Sequence, residues 1–131
     1  MRKPWAVLVL AGLLSACGKG SDKAEKATFD EAQFEHGATL FTRNCSTCHD
    51  LSGGSMRAGP MLGGLGGRQA GSVKGFAYSA ALKNSSIVWN EETLDRWLSG
   101  PQAFVPGTIM QIQPITDPEA RRALITYLLN Q

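Results

Sequence analysis

The five residues Cys45-Ser46-Thr47-Cys48-His49 constrain this chain more than any other stretch of it. Their pattern, C-x-x-C-H, is typical of a site where a c-type haem is attached. Each of the two thiols can form a thioether bond with one vinyl group of the haem, and the adjacent histidine is then held against one face of the iron. The pattern therefore predicts a covalent haem c with His49 as an axial ligand.

Two other kinds of site use closely spaced cysteines, and both fit this sequence less well. A zinc site needs further ligands, and the remaining candidates, Cys17 and His36, lie upstream at unsuitable spacings. A redox-active C-x-x-C pair follows a strand of a βαβ unit, and no such pattern precedes Cys45. Haem attachment is the interpretation we prefer.

Residues 1–16 have the features of a secretory signal peptide, because two basic residues precede a short apolar run and small residues follow it. The run is too short to span a bilayer as a helix. Leu14-Ser15-Ala16-Cys17 also resembles the lipobox of bacterial lipoproteins, in which cleavage leaves a cysteine that carries a diacylglycerol. The alternative is an ordinary secretory signal with an incidental cysteine at position 17.

The cysteine count favours lipidation. The chain has 3 cysteines, and an odd number in an exported protein leaves one thiol to be explained. The haem accounts for Cys45 and Cys48 and the lipid for Cys17, so none remains for a disulfide. We therefore expect a signal peptide at 1–16, a flexible polar tether at 17–27 and one haem domain at 28–131.

Removal of the signal peptide would leave a neutral chain. The full sequence has 13 Lys and Arg against 11 Asp and Glu, and the signal peptide contains Arg2 and Lys3. A neutral chain attracts anionic partners only weakly. We expect no nucleic-acid partner.

The domain is predicted to be helical, with long loops and no sheet. We expect helices at 28–44, at 79–83, from Asn90 to a stop at Gly100-Pro101, and from Thr116 onward. Asn90 is a plausible cap, and Thr116 with Glu119 forms a possible capping box. Between residues 50 and 75 glycine is so frequent that we expect an irregular loop packed on the haem.

An electron carrier needs a second axial ligand, because an open iron position invites small molecules such as oxygen or CO. Four side chains are candidates: Met56, Met61, Met110 and His36. The first two follow His49 closely in a loop that must leave its side of the haem, and His36 is expected to be exposed. Met110 follows a Pro-Gly turn that can direct it inward, and His–Met ligation raises the reduction potential.

Further motifs occur in order around C-x-x-C-H. They are Gly37…Phe41 before it and, after it, Gly59-Pro60-x-Leu62-x-Gly64, Gly67-Arg68-x-x-Gly71, Gly75-Phe76-x-Tyr78-Ser79, Trp89, Pro101, Pro106-Gly107-Thr108-x-Met110 and Leu124-Ile125-x-Tyr127-Leu128. Together they make the chain similar to class I c-type cytochromes, in the subclass of mitochondrial cytochrome c. The resemblance implies a small all-α fold, with about three to five helices and long loops around a single haem.

The resemblance also implies roles for matching residues. Gly37 would let the first helix cross the last one near Leu124 and Tyr127. The carbonyl of Pro60 would accept the free ring N–H of His49. The side chains that would bind or adjoin the haem propionates are Arg68, Tyr78, Trp89 and Thr108.

The chain departs from the family at positions near the haem. Trp97 stands where a tyrosine often contacts the methionine sulfur, and Leu82 stands where many relatives have an asparagine. Both changes make the pocket less polar. The chain also lacks the lysine-rich docking face of mitochondrial relatives, so we expect docking to depend more on apolar contact at the haem edge.

These observations predict a monomeric, membrane-tethered electron carrier, not an enzyme. It would take electrons from a quinol-oxidising complex or a dehydrogenase and give them to a terminal oxidase or reductase, in the periplasm or on the outer side of the cytoplasmic membrane. One alternative is a haem subunit fixed in a single dehydrogenase or oxidase complex. The other is a haem peroxidase or gas sensor, against which Met110 argues.

Overall fold

The computed structural model describes residues 29–53 and 57–131. Within these ranges the chain forms five helices: α1 (Glu31–Asn44), α2 (Ala80–Lys83), α3 (Glu91–Ser99), α4 (Pro101–Phe104) and α5 (Pro118–Leu129). The same ranges contain no strand, and the contact between Gln69 and Val88 is an isolated β-bridge. The predicted all-α fold with long loops is confirmed. The expected signal peptide and tether, with Cys17, and also Met56, lie outside the described residues.

Side-chain caps set the beginnings of α1 and α3. The carboxylate of Asp30 accepts a hydrogen bond from the backbone N–H of Gln33 at 3.0 Å. Asn90 and Thr93 form a capping box in which each side chain accepts the other's backbone N–H at 2.9 Å. Each cap pairs an amide that has no partner within the helix, so both helices start where the sequence carries the capping residue.

Several helix boundaries differ from the prediction. Helix α1 begins at Glu31 and not at residue 28, because Asp30 caps it. Asp117 caps α5 by accepting the N–H of Glu119 at 3.0 Å. The capping box expected between Thr116 and Glu119 is therefore wrong, because the third helical position is Ala120, which has no side-chain oxygen. Pro101 follows the end of α3 as expected but also begins α4, since its fixed φ suits a first turn and its missing N–H is not needed there.

Helix α1 packs closely on α5 at Gly37. A Cβ at this position would lie 2.6 Å from Cβ of Tyr127 and 2.8 Å from the carbonyl carbon of Ala123. The sequence predicts this crossing near Leu124 and Tyr127. It occurs at Tyr127 and at Ala123, the neighbour of Leu124. Glycine costs about 1 kcal/mol relative to alanine inside a helix, and here the close backbone approach accounts for it.

The glycine-rich loop is tied to the segment that follows α2. The backbone N–H of Gly67 donates to the carbonyl of Trp89 at 2.8 Å, and the N–H of Trp89 donates to the carbonyl of Arg68 at 2.9 Å. Ala70 donates in the same way to Ile87 at 2.8 Å. These bonds fix Arg68 and Trp89 beside each other, although neither belongs to a helix.

Candidate haem site

A cavity of about 310 Å³ opens between α3, α5 and the long loops. Its volume is within the range of small-molecule and cofactor sites, roughly 300–1,000 Å³. Every residue predicted to contact the haem lines it: Cys45, Cys48, His49, Pro60, Arg68, Tyr78, Trp89, Trp97, Thr108 and Met110. The structure thus brings together residues that are spread over most of the domain.

The C-x-x-C-H segment forms a turn directly after α1. The N–H groups of Cys45 and Ser46 donate to the carbonyl of Phe41 at 2.8 and 3.0 Å. Those of Cys48 and His49 donate to the carbonyl of Cys45 at 3.0 and 2.8 Å. This turn brings both thiols and the imidazole to the cavity.

The two thiols are not joined to each other, and they differ in exposure. Cys45 is buried and Cys48 is exposed. Burial raises the pKa of the Cys45 thiol to about 11, with a smaller contribution from Cys48. A reactive redox cysteine is instead stabilised as the thiolate by its surroundings, so this environment does not favour a redox-active pair.

His49 is oriented by a single hydrogen bond. Its Nδ1 lies 2.7 Å from the carbonyl oxygen of Pro60, which can only accept, so Nδ1 carries the proton and donates. Burial lowers the pKa of the imidazole, and the bond to Pro60 opposes this in part. The neutral ring therefore has a free lone pair on Nε2, which is the form that binds a metal.

Gly59 packs directly against the His49 ring. A Cβ at position 59 would lie 2.6 Å from Nδ1 and 2.8 Å from Nε2 of that ring. Two backbone hydrogen bonds tie the loop around Gly59 to the C-x-x-C-H segment. The N–H of Gly59 donates to the carbonyl of Cys48 at 2.7 Å, and the N–H of Leu62 donates to the carbonyl of Asp50 at 2.8 Å. The imidazole thus occupies a cradle that only glycine leaves open, which fits an axial ligand held in a fixed orientation.

Arg68 brings a positive charge to the wall of the cavity. Its Nη1 and Nη2 donate to the carbonyls of Gly63 and Met61 at 2.9 and 2.7 Å. These bonds fix the glycine-rich loop and leave further guanidinium N–H groups free. Among the described residues that line the cavity there is no Asp or Glu, so the charge fits the anionic propionate of a haem.

Tyr78 and Thr108 each have a hydroxyl proton to donate into this region. The Tyr78 oxygen accepts the N–H of Val73 at 3.3 Å, and burial raises its pKa. The Thr108 oxygen accepts the N–H of Met110 at 3.3 Å, and the residue is buried. Both hydroxyls are therefore available to an acceptor such as a propionate oxygen.

Two tryptophans form part of the wall. Trp89 and Trp97 are 7% and 5% exposed, and their rings pack edge to face with centroids 5.4 Å apart. An indole offers one N–H donor and no acceptor. The pair makes this side of the cavity largely apolar.

The described candidates for the second axial ligand differ in whether they line the cavity. Met110 lines the cavity and packs against the buried core. His36 is exposed on α1, and neither it nor the half-buried Met61 lies among the lining residues. Of the described candidates, Met110 alone reaches the site.

The sequence matches the cytochrome c family over residues 34–131. The chain belongs to the cytochrome c family. It is 39% identical over 106 residues to cytochrome c from Sesamum indicum, covering 78% of this chain and 96% of that one. It is 41% identical over 101 residues to cytochrome c from Cochliobolus lunatus, covering 76% and 94%.

The fold has a solved counterpart in cytochrome cH from Methylobacterium extorquens. The TM-score is 0.70 at 35% identity, covering 75% of this chain and 98% of that structure. The resemblance to class I cytochromes c is confirmed. This cytochrome c is a single-haem electron carrier whose haem is covalently bound, and its C-x-x-C-H motif supplies Cys45 and Cys48.

Sequence reasoning missed several apolar residues that line the cavity of this cytochrome c. Leu65, Phe76 and Ile112 lie in loops, where no periodicity marks which side chain points inward. Leu94, Leu98 and Leu128 also line it. Their helical spacing places them on the inner faces of α3 and α5, but spacing does not tell a core contact from a haem contact.

Proposed function

We propose that this cytochrome c carries single electrons between redox proteins at a bacterial membrane, with its iron held between His49 and Met110. One observation carries the proposal. The two side chains come from loops 61 positions apart in sequence, yet both line one cavity that also contains the two attachment cysteines. His49 presents a neutral ring with Nε2 free, because Nδ1 donates to Pro60.

The chain's own residues would keep the iron centre closed and its surroundings fixed. The haem, when bound, supplies the one-electron Fe(III)/Fe(II) change. The thioether of Met110 is neutral and favours the ferrous state, which raises the reduction potential. Arg68, Tyr78, Trp89 and Thr108 surround the cavity with the donors and the positive charge that propionates require. The apolar walls would keep water away from the iron of a bound haem.

Replacing Met110 with alanine tests the ligand set. We expect the variant to lose the weak far-red absorption band of a ferric methionine–iron bond and to bind CO when reduced. The reduction potential should fall, because the soft thioether is replaced by water or an empty position. Absorption spectra with and without CO and a redox titration measure both changes.

Met61→Ala is the matched control for this test. Met61 is half-buried but does not line the cavity, so its loss should leave the far-red band and the resistance to CO unchanged. An unchanged spectrum in Met110→Ala would show that the second ligand comes from elsewhere.

We further propose that lipid on Cys17 holds the protein at the membrane, after cleavage of residues 1–16. The lipobox-like Leu14-Ser15-Ala16-Cys17 and the otherwise unexplained third cysteine support this. Two or more acyl chains give a stable anchor, where one is marginal. None of the helices in the described ranges has the length and apolar character that a bilayer span requires. Residues 17–27 would act as a tether of about 15–20 Å, and the haem domain would face the periplasm.

Cys17→Ser is expected to move the protein from the membrane fraction to the soluble fraction. The reason is that the diacylglycerol is attached through the cysteine sulfur. Membrane fractionation followed by mass measurement of the mature chain checks both the location and the lipid. Ser21→Ala, a change in the tether, should stay on the membrane; if Cys17→Ser also stays there, lipidation is not the anchor.

The partners would meet the protein at an uncharged surface. The exposed residues among those that line the cavity are Asn44, Cys48, Ala58, Gln69, Ile109 and Gln111. None is charged, and Ile109 is 61% exposed. We propose donors and acceptors with uncharged docking surfaces, in the classes of quinol-oxidising complexes or dehydrogenases and terminal oxidases or reductases.

A further inference from the structure

The segment that carries Met110 has little structure of its own. It runs from the end of α4 at Phe104 to the start of α5 at Pro118. A turn brings the N–H of Thr108 to the carbonyl of Val105 at 3.1 Å, and Gly107 in this turn has φ +91°. The Thr108 hydroxyl oxygen accepts the N–H of Met110 at 3.3 Å. These bonds are local, so they do not fix the part of the segment around Met110 relative to the helices. The end of the segment is fixed separately, because the N–H of Ile115 donates to the carbonyl of Leu98 at 3.0 Å and Nη1 of Arg121 donates to the carbonyl of Ile115 at 2.8 Å.

Gln102 supplies a bond between this segment and α4. Its side-chain nitrogen Nε2 donates to the carbonyl of Thr108 at 2.7 Å and lies 3.4 Å from the carbonyl of Met110. A carboxamide NH₂ has two N–H donors, so it can reach both carbonyls together. Gln102 follows Pro101, which is buried and begins α4. The base of this side chain is therefore anchored in the body of the protein.

We propose that Gln102 is a positioning residue that holds the Met110 loop in place, and so keeps the methionine on the iron. The inference rests on the proposed His49–Met110 ligation. The two carbonyls that flank Ile109 thereby act as the acceptors that tie the loop to Gln102, while the Ile109 side chain itself is 61% exposed. Without the bond from Gln102, the exposed loop would open more often and expose the iron.

The chemistry of the hydrogen bond from Gln102 suggests a substitution that would disrupt it strongly. Gln102→Glu keeps the shape of the side chain but replaces the NH₂ by a carboxylate oxygen, which only accepts. That oxygen would face the two carbonyl oxygens and repel them. Gln102→Ala merely removes the donor and lets water reach the carbonyls. Gln102→Glu should therefore have the larger effect of the two.

The experiment uses the holoprotein and CO as the probe. Because a hydrogen bond contributes about 0.5–1.5 kcal/mol, its loss should raise the population of the open loop by roughly two- to thirteenfold. We expect CO to bind reduced Gln102→Ala about that much faster than the wild type, and to bind reduced Gln102→Glu faster still. The far-red ferric band should disappear at a lower temperature, while global unfolding shifts little. In both measurements Gln102→Ala should lie between the wild type and Gln102→Glu.

Gln113→Glu is the control, because it makes the same chemical change at an exposed position of the same loop. It should match the wild type in both measurements. If Gln102→Glu behaves like Gln113→Glu while the wild type shows its methionine band, the role of Gln102 is wrong and the ligation stands. If the wild type itself lacks the band and binds CO rapidly, the ligation fails and the inference falls with it.

Discussion

Gly37→Ala is expected to destabilise the domain by about 2–3 kcal/mol, a typical cost of overpacking a close contact. The new Cβ would lie 2.6 Å from Cβ of Tyr127 and 2.8 Å from the carbonyl carbon of Ala123. A backbone carbonyl cannot turn aside as a side chain can, so α1 would have to move away from α5. Denaturant unfolding of the holoprotein measures the change in free energy.

The control for Gly37→Ala is Ala32→Gly, an exposed position on the same helix. There the ordinary helix preference applies, and the change should cost about 1 kcal/mol. Gly37→Ala adds a methyl group and Ala32→Gly removes one, yet both should lower the free energy of unfolding. A Gly37→Ala protein stabilised by about 1 kcal/mol would contradict the account, since that is the result for a helix position with open space.

Gly59→Ala is expected to impair the haem centre more than the fold. Alanine at position 59 would place its Cβ 2.6 Å from Nδ1 and 2.8 Å from Nε2 of His49. The ring must move, which breaks its 2.7 Å hydrogen bond to Pro60. Loss of such an orienting partner costs about 10- to 100-fold in metal affinity or activity. We expect a low yield of covalently attached haem, and an altered low-spin spectrum in the fraction of the variant that carries haem.

Gly66→Ala is the control for this change. It lies in the same glycine-rich loop, and its Cβ would meet the flexible end of Leu129 at 3.3 Å. Haem content by mass spectrometry and the visible spectrum should resemble those of the wild type. Normal haem content and spectrum in Gly59→Ala would mean that His49 is not packed on Gly59 as described.

The parts of this structure that the sequence predicts are those with local chemical signals. C-x-x-C-H indicates haem attachment through the reactivity of three neighbouring residues. Asn90 marks the start of α3, because its side chain caps an amide only three residues away. The costly Gly37 inside a helical pattern indicates a close crossing. The motif and the cap lie within a few residues of the features they predict, whereas Gly37 indicates that a backbone passes close by but not which one.

The parts that the sequence does not predict depend on contacts between distant loops. The pairing of Gly67 and Arg68 with Trp89 joins segments that share no periodicity. The start of α4 at Pro101 follows from a residue that is equally able to end α3. Gln102 gives no sign of its two backbone contacts, because a lone glutamine on a short helix is usually solvated. Only the folded chain brings these groups together.

The visible spectrum of the purified protein, oxidised and reduced, with and without CO, tests the central proposal most directly. Ligation by His49 and Met110 predicts the weak far-red band in the ferric form and a reduced form that binds CO only slowly, because the methionine must leave first. Rapid CO binding without that band would contradict it, and would instead indicate an open iron, as in a gas sensor or a peroxidase.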